Sequence, residues 1–305
     1  MEQVPAAHEF DSVVEAWGQH LLRAFNGKED MVAAFKWPKE KILDFFDRVT
    51  AQPGPRGYDV EAGSQKSLDS VVLSIHKLVK QTTSKESIFL SPPLSVTYQK
   101  TEFKLETIFD LIGWMFSVTG TSPDKANRNN YYYPLAALYC VFWRRLTEKT
   151  TINPPLQHDP SMVQMTWFTQ GGKTRICISS TLDGINRDLK DSKNAARLRR
   201  QDELIKFTLI PKEYKNKSLV ESPNPQLFGH CAETTPFLFI KSIVKEVTAA
   251  EGFALKPKLI LPDRYKEEYK YARLDYRVLR PPCENCSYLV TTGLGFKLKN
   301  FDPPT

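Results

Sequence analysis

The sequence predicts an α/β protein in two parts: a mostly α-helical domain over residues 1–150, then an α/β/α unit over 151–305. Three observations predict it. Apolar residues recur at helical spacing through much of 9–150. Residues 163–180 read as two β-branched and aromatic runs joined by Gly171-Gly172, the composition of a tight hairpin. Beyond the hairpin, Pro236 and Pro282 each stand near the opening of a helix, and each lies close to cysteine.

In chain order, FDSVVEAWGQHLLRAF places Val13, Trp17, Leu21 and Phe25 on one stripe, with Asp11-Ser12 available as a cap. MVAAFKWPKEKILDFFDRV is helical on both sides of Pro38, where a new helix begins or a kink falls. Residues 52–65 are a loop by their Pro and Gly content. Leu68, Val72, Ile75 and Val79 form the stripe of a further helix. PPLSVTYQKTEF reads as extended or irregular, and LETIFDLIGWMFSV as a strongly apolar helix. DKANRNNYYYPLAALYCVFWRRLTEK ends in basic residues, which suit a helix C-terminus. The run Tyr131-Tyr132-Tyr133 fits core packing better than base stacking.

The proline-rich segment 150–161 is the expected boundary. In the hairpin, Val163, Met165 and Trp167 alternate, as do Ile176 and Ile178. Residues 182–219 are polar and basic, with a helix expected over Ala195–Phe207. There Arg197, Arg199, Arg200 and Lys206, followed by Lys212, Lys215 and Lys217, offer either a phosphate-facing surface or a solvated helix face. CAETTPFLFIKSIVKEVTAAEG reads as one helix, and LDYRVL at 274–279 as a short strand. GFKLKN at 295–300 leaves room for one more strand.

Composition bounds the function classes. The net charge of +7 leans toward acidic partners such as nucleic acid. There is no nucleotide-binding glycine loop, internal repeat or low-complexity tract. The N-terminus lacks the basic start and apolar run of a signal peptide, and the longest apolar stretch, 131–143, is too short for a membrane span. A cytoplasmic or nuclear setting is expected, where spaced cysteines point to metal or catalysis before disulfides. Of the five cysteines, Cys140 and Cys177 lie in apolar contexts and read as small core residues. His8, His20, His76 and His158 have no partner at metal spacing.

The remaining cysteines carry the chemistry. Pro236 is tolerable only in a first helical turn, so its helix opens just before it, with Cys231 and Glu233 at the tip. Glu233, Phe237, Ile240 and Val244 then share one face. With Pro282 opening the second helix, Cys283 and Cys286 stand at i and i+3 on its first turn, and Leu289 and Val290 continue that face into the core. Three thiols can hold a metal while leaving a fourth position open, and the positive helix ends favour thiolates.

The order of hairpin, helix with Cys231-Ala-Glu233, strand, and helix with Pro282-Cys283-x-x-Cys286 resembles the cytidine deaminase superfamily over roughly 160–300. The form GHCAE with PCENC is most similar to toxin-type nucleic-acid deaminases and their fungal relatives. The resemblance implies a deaminase-like core with catalytic Zn2+ on Cys231, Cys283 and Cys286. Glu233 matches the glutamate that shuttles protons. It implies cytosine-to-uracil hydrolysis in a nucleic acid, single-stranded DNA or RNA, or in a nucleoside, with no membrane partner. His230 is a candidate substitute ligand or substrate contact, against a simple structural role. Trp167 and Phe168 are candidate base-stacking walls, against core packing. The gap from Cys231 to Cys283 holds an expected insert around 256–272. Two other classes compete. One is a non-catalytic zinc-binding interaction protein, which would not need a carboxylate at 233. The other is a redox Cys-x-x-Cys module, disfavoured because no thioredoxin-like strand precedes it.

Overall fold

The computed structural model describes residues 21–54, 57–58, 60, 62–80, 88–119, 121–147, 160–182, 189–219, 226–257 and 278–303. It is a mixed α/β protein with two antiparallel sheets among these residues. No helix among them is long and apolar enough to cross a membrane.

The helix expected from residue 11 lies mostly outside the described residues, and its last part is not helical. Phe25 and Asn26 have φ of 52° and 58°, turning the chain so that Ala24 bridges to Glu29. Phe25 is buried all the same, against Phe45 and Phe116. Helix α1 (Met31–Phe35) is capped by Asp30, and Pro38 is the N-cap of α2 (Lys39–Ala51), as its position in the sequence requires. Helix α3 (Leu68–Lys80) buries Leu68, Val72, Ile75 and Val79. His76 sits at the surface, 2.9 Å from Asp47.

The segment left as extended or irregular is a hairpin of β1 (Phe89–Tyr98) and β2 (Thr101–Thr107), turning through Gln99 at φ 53°. Helix α4 (Ile108–Val118) starts at its Thr107–Asp110 capping box, so Leu105-Glu106-Thr107 belongs to the strand rather than to the helix. Every residue of α4 is buried, which explains its uniform hydrophobicity. Helix α5 (Tyr133–Thr147) is almost as enclosed, and Tyr131, Tyr132 and Tyr133 all enter the core.

The larger sheet has the order β4-β3-β5-β6: β3 is Val163–Gln170, β4 Lys173–Ser180, β5 Val247–Leu255 and β6 Leu279–Arg280. Gly171 and Gly172 turn the β3–β4 hairpin at φ 56° and 75°. Strand β4 lies at the sheet edge, and α4 covers it. The Ile178 N–H donates to Ser117 Oγ at 3.1 Å, and a β-carbon at Gly113 would lie 2.5 Å from the Ile178 carbonyl oxygen. Glycine at 113 is what lets the helix close over the open edge.

The single helix expected from Cys231 to Gly252 is instead a helix, α7 (Thr234–Ser242), and then strand β5. Strand β5 pairs with β3 from Val163↔Leu255 to Gln170↔Val247. Its Ala249-Ala250-Glu251 stretch favours a helix up to Gly252, and the pairing partner overrides that propensity. At 295–300 the expected strand is absent; Leu298–Asn300 form a 3-10 turn that leads Phe301 into the core. Most of the strand expected at 274–279, all of the expected insert beyond residue 257 and the boundary near 150 fall outside the described residues. One hydrophobic core runs from Ala24 to Phe301, taking in residues from both sides of that boundary.

The basic helix, α6, runs over Lys190–Lys206. Its arginines do not form the phosphate-facing surface that the sequence allowed. Arg200 pairs with Asp110 at 2.6 Å with both side chains buried, and Arg199 grips Glu106 with contacts of 2.6–2.9 Å. Arg197 is buried and reaches Asn216, Lys206 pairs with Glu203 and Lys215 with Asp202. Acids distant in sequence, Glu106 on β2 and Asp110 on α4, engage Arg199 and Arg200, whereas Lys206 and Lys215 stay exposed beside acids of α6 itself.

Candidate metal centre

The first cysteine motif is held by the end of β4 and by α6. The Leu182 N–H donates to the His230 carbonyl at 3.1 Å, and Ser179 Oγ donates to the Ala232 carbonyl. Gly229 adopts φ +90°, and a β-carbon there would meet the Arg197 carbonyl oxygen at 2.5 Å. A side chain is excluded twice, by conformation and by the helix against which the loop lies. Cys231 is thereby buried, and Glu233 stands as the N-cap of α7. Phe237 and Ile240 follow Glu233 on the buried face as their spacing requires; the chain leaves the helix before Val244.

The second motif follows β6. Cys283 is the N-cap of α8 (Glu284–Tyr288), so Pro282 stands one residue before the cap rather than at the first helical position. The proline still stops the strand, and its fixed φ aims the chain into the helix. Cys286, Leu289 and Val290 are buried, as the helical face predicts.

The three thiols converge. The Cys231 and Cys283 sulfurs lie 3.6 Å apart, those of Cys283 and Cys286 3.4 Å apart, and all three within 4.8 Å of one another. Thiolates arranged tetrahedrally about zinc at about 2.3 Å have sulfurs separated by about 3.8 Å. The spacing and the chemistry of the donors both fit a tetrahedral, thiolate-binding metal ion, with one position left over. Residues Gln226, Cys231, Glu233, Lys256, Arg280 and Cys283 line a cavity of about 260 Å³ beside the cluster.

Charge is unevenly shared in the cluster. Hydrogen bonding with Cys231 and then with Cys286 lowers the Cys283 thiol to about 3, helped by the backbone N–H groups of Cys286 and Asn285. Cys231 is raised well above the ordinary thiol value, first by its hydrogen bond with Cys283, and Cys286 is raised by burial. Three thiolates so close together need a cation beside them, which a bound dication would supply. Burial, then the charge on Cys283, pushes the Glu233 carboxyl up to about 7.

Two supporting residues carry no sequence signal that spacing rules would detect. Gln226 Nε2 donates to Cys231 Sγ at 3.1 Å, and Asn285 Nδ2 donates to the Gln226 carbonyl at 2.7 Å. Asn285 stands inside the Cys-x-x-Cys motif, where a polar residue is unremarkable. Gln226 lies within SPNPQLFGH, a stretch whose Pro and Gly content signals only a turn.

Of the other expected site residues, Trp167 and Phe168 are not brought to the cavity wall. Trp167 stacks on Tyr132 with ring centres 4.1 Å apart, and Phe168 is buried in the core. Strand alternation turns these neighbours to opposite faces, and helices cover both. His230 is half-buried and contributes its carbonyl to the β4 end; its ring is in neither the thiol cluster nor the cavity wall. Cys140 and Cys177 are buried core residues. No family model, curated protein or solved structure matches the chain.

Proposed function

We propose that this protein is a zinc-dependent hydrolytic deaminase of a nucleobase, cytosine in a nucleic acid or nucleoside, with Cys231, Cys283 and Cys286 holding the metal. The observation that carries this reading is the position of Glu233. A buried carboxyl with a pKa near 7 shares a cavity wall with Cys231 and Cys283. A structural metal site has no use for such a group, whereas proton transfer at neutral pH does.

Bound zinc supplies Lewis acidity and lowers the pKa of water to about 7, making a nucleophile available at neutral pH. Glu233 takes the proton that water loses and delivers it to the ring nitrogen. The oxygen bonds the amine-bearing carbon, and Glu233 then carries the proton of that new hydroxyl to the exocyclic amine, so that the C–N bond breaks, a carbonyl forms and ammonia leaves. A carboxyl that titrates near neutrality can accept and return a proton with little cost in either direction. The order of elements adds support. Hairpin β3–β4, helix α7 opened at Glu233, strand β6, and helix α8 opened at Cys283 come in the same order as in the superfamily the motifs resemble. Helix α6, between β4 and α7, and strand β5, between α7 and β6, are additions to that order.

Metal analysis of the purified chain comes first, then deamination assays on cytidine, single-stranded DNA, duplex DNA and RNA. Activity that persists in Glu233→Ala refutes the reading. A protein that holds zinc and deaminates none of these substrates is an interaction protein on the same scaffold.

A further inference from the structure

The three thiols do not meet the cavity alike. Cys283 is half-buried and lines it. Cys231 also reaches the cavity wall, but it is only 4% exposed, and Gln226 Nε2 donates to its sulfur. Cys286 is fully buried and is not part of the wall. Its sulfur stands 3.4 Å from that of Cys283, closer than the 3.6 Å between Cys283 and Cys231. A small molecule in the cavity therefore meets Cys283 with Cys286 directly behind it.

The pair also shares one short stretch of backbone. Cys283 is the N-cap of α8 and Cys286 lies three residues on, so the two are neighbours on its first turn. Bringing their sulfurs from 3.4 Å to the bonded distance of about 2.05 Å asks for side-chain rotation and no displacement of one element against another. A bond from Cys283 to Cys231 would instead draw two motifs together, and the Cys231 loop is tied to the end of β4 through Leu182 and Ser179. Cys140 and Cys177 are buried core residues outside the cluster.

We infer that Cys283 and Cys286 form a peroxide-sensitive switch, in which oxidation to an intrachain disulfide removes two of the three metal ligands. A thiol that coordinates a dication is deprotonated, and it is the thiolate that reacts. The Cys283 thiolate attacks one oxygen of hydrogen peroxide. An S–O bond forms, the O–O bond breaks, and the departing hydroxide takes up a proton and leaves as water. The Cys286 sulfur then attacks the Cys283 sulfur. The S–S bond forms, the S–O bond breaks, and a second water leaves. Two electrons pass from the two thiols to the peroxide. Cys231 is then the one remaining thiolate of the cluster, too few to retain the ion. A dithiol reductant reverses the bond by exchange. This rests on the metal-site part of the proposed function and on none of its turnover.

The test uses the full-length, zinc-loaded chain and hydrogen peroxide. A chromophoric chelator follows released metal, and alkylation in denaturant followed by peptide mass spectrometry maps the cysteines. Bound metal is expected to fall from about one per chain to near zero, in step with formation of a Cys283–Cys286 disulfide. Cys140, Cys177 and Cys231 should remain open to alkylation. A dithiol reductant with added zinc should restore the metal content. In the metal-free state, Cys286→Ser should stop at a sulfenic acid on Cys283 that dimedone captures, and Cys283→Ser should form neither product. The wild-type map decides the matter where a variant fails to fold. Peroxide that leaves the metal bound and the thiols reduced overturns the switch. So does a disulfide that takes in Cys231, or metal loss that the reductant cannot reverse. Release and recovery as expected in a chain that deaminates nothing leave the switch standing and sink the deaminase reading.

Discussion

The side-chain amide of Asn285 donates a 2.7 Å hydrogen bond to the carbonyl oxygen of Gln226, and this bond joins the two cysteine motifs. Gln226 in turn places its own amide 3.1 Å from Cys231 Sγ. A residue inside the second motif thereby orients a residue that contacts the first. Supporting contacts of this kind commonly change metal affinity by about 10–100-fold. Asn285→Ala and Gln226→Ala are each expected to weaken metal binding within that range and to leave the fold intact. Competition with a chromophoric chelator measures it, and unchanged affinity in both variants refutes the role.

The three sulfurs act as a unit, because removing one leaves two donors at an open cavity edge. Cys283→Ala and Cys286→Ala should each reduce bound metal from about one per chain to near zero, as loss of one of three protein ligands implies. Elemental analysis after gel filtration gives the number. Full metal content in either variant removes that cysteine from the site.

Glu233→Gln keeps the shape of the side chain and removes its acid–base chemistry. Metal content should stay as in the wild type. Deamination should fall by about 100–10,000-fold, the usual worth of a positioned acid–base group. The variant should be at least as stable as the wild type, since a buried ionisable group becomes neutral. Loss of metal instead would make Glu233 a ligand.

Asp110 serves two partners at once. Its Oδ2 accepts from the backbone of Glu106 and Thr107, and its Oδ1 meets Arg200 at 2.6 Å in a buried pair. Asp110→Ala should cost about 3–5 kcal/mol in urea unfolding, because it strands a buried guanidinium as well as a helix cap. A double-mutant cycle with Arg200→Met should give a coupling well above about 0.5 kcal/mol, the scatter of independent sites.

Thiol chemistry separates the two classes of cysteine. Cys140 and Cys177 are buried, and burial raises the Cys177 thiol far above its ordinary value. Neither should react with a maleimide in the folded, metal-loaded protein, and both should react in denaturant. Mass spectrometry of labelled peptides reads the result.

The core helices and the Gly-Gly hairpin were legible from periodicity and turn chemistry alone, because both are local rules. Strand β5 was not. Its Ala-Ala-Glu stretch suits a helix, and only pairing with β3 makes it a strand. The arginines of α6 failed for a related reason. Charge in a sequence carries no direction, and Glu106 and Asp110 lie about ninety residues away along the chain.

By itself the sequence determined which side chains could hold a metal, the prolines close to the helix starts beside them, and the periodicity that turns Glu233 inward. The tertiary structure alone decided that three sulfurs from two helix ends, 52 residues apart, come within 4.8 Å of one another. It alone placed Lys256 and Arg280 beside them on one cavity wall. Residue type and local conformation depend on neighbours in the chain. Convergence depends on the sheet register and the packed core, where each partner's position is fixed by contacts that no short segment contains.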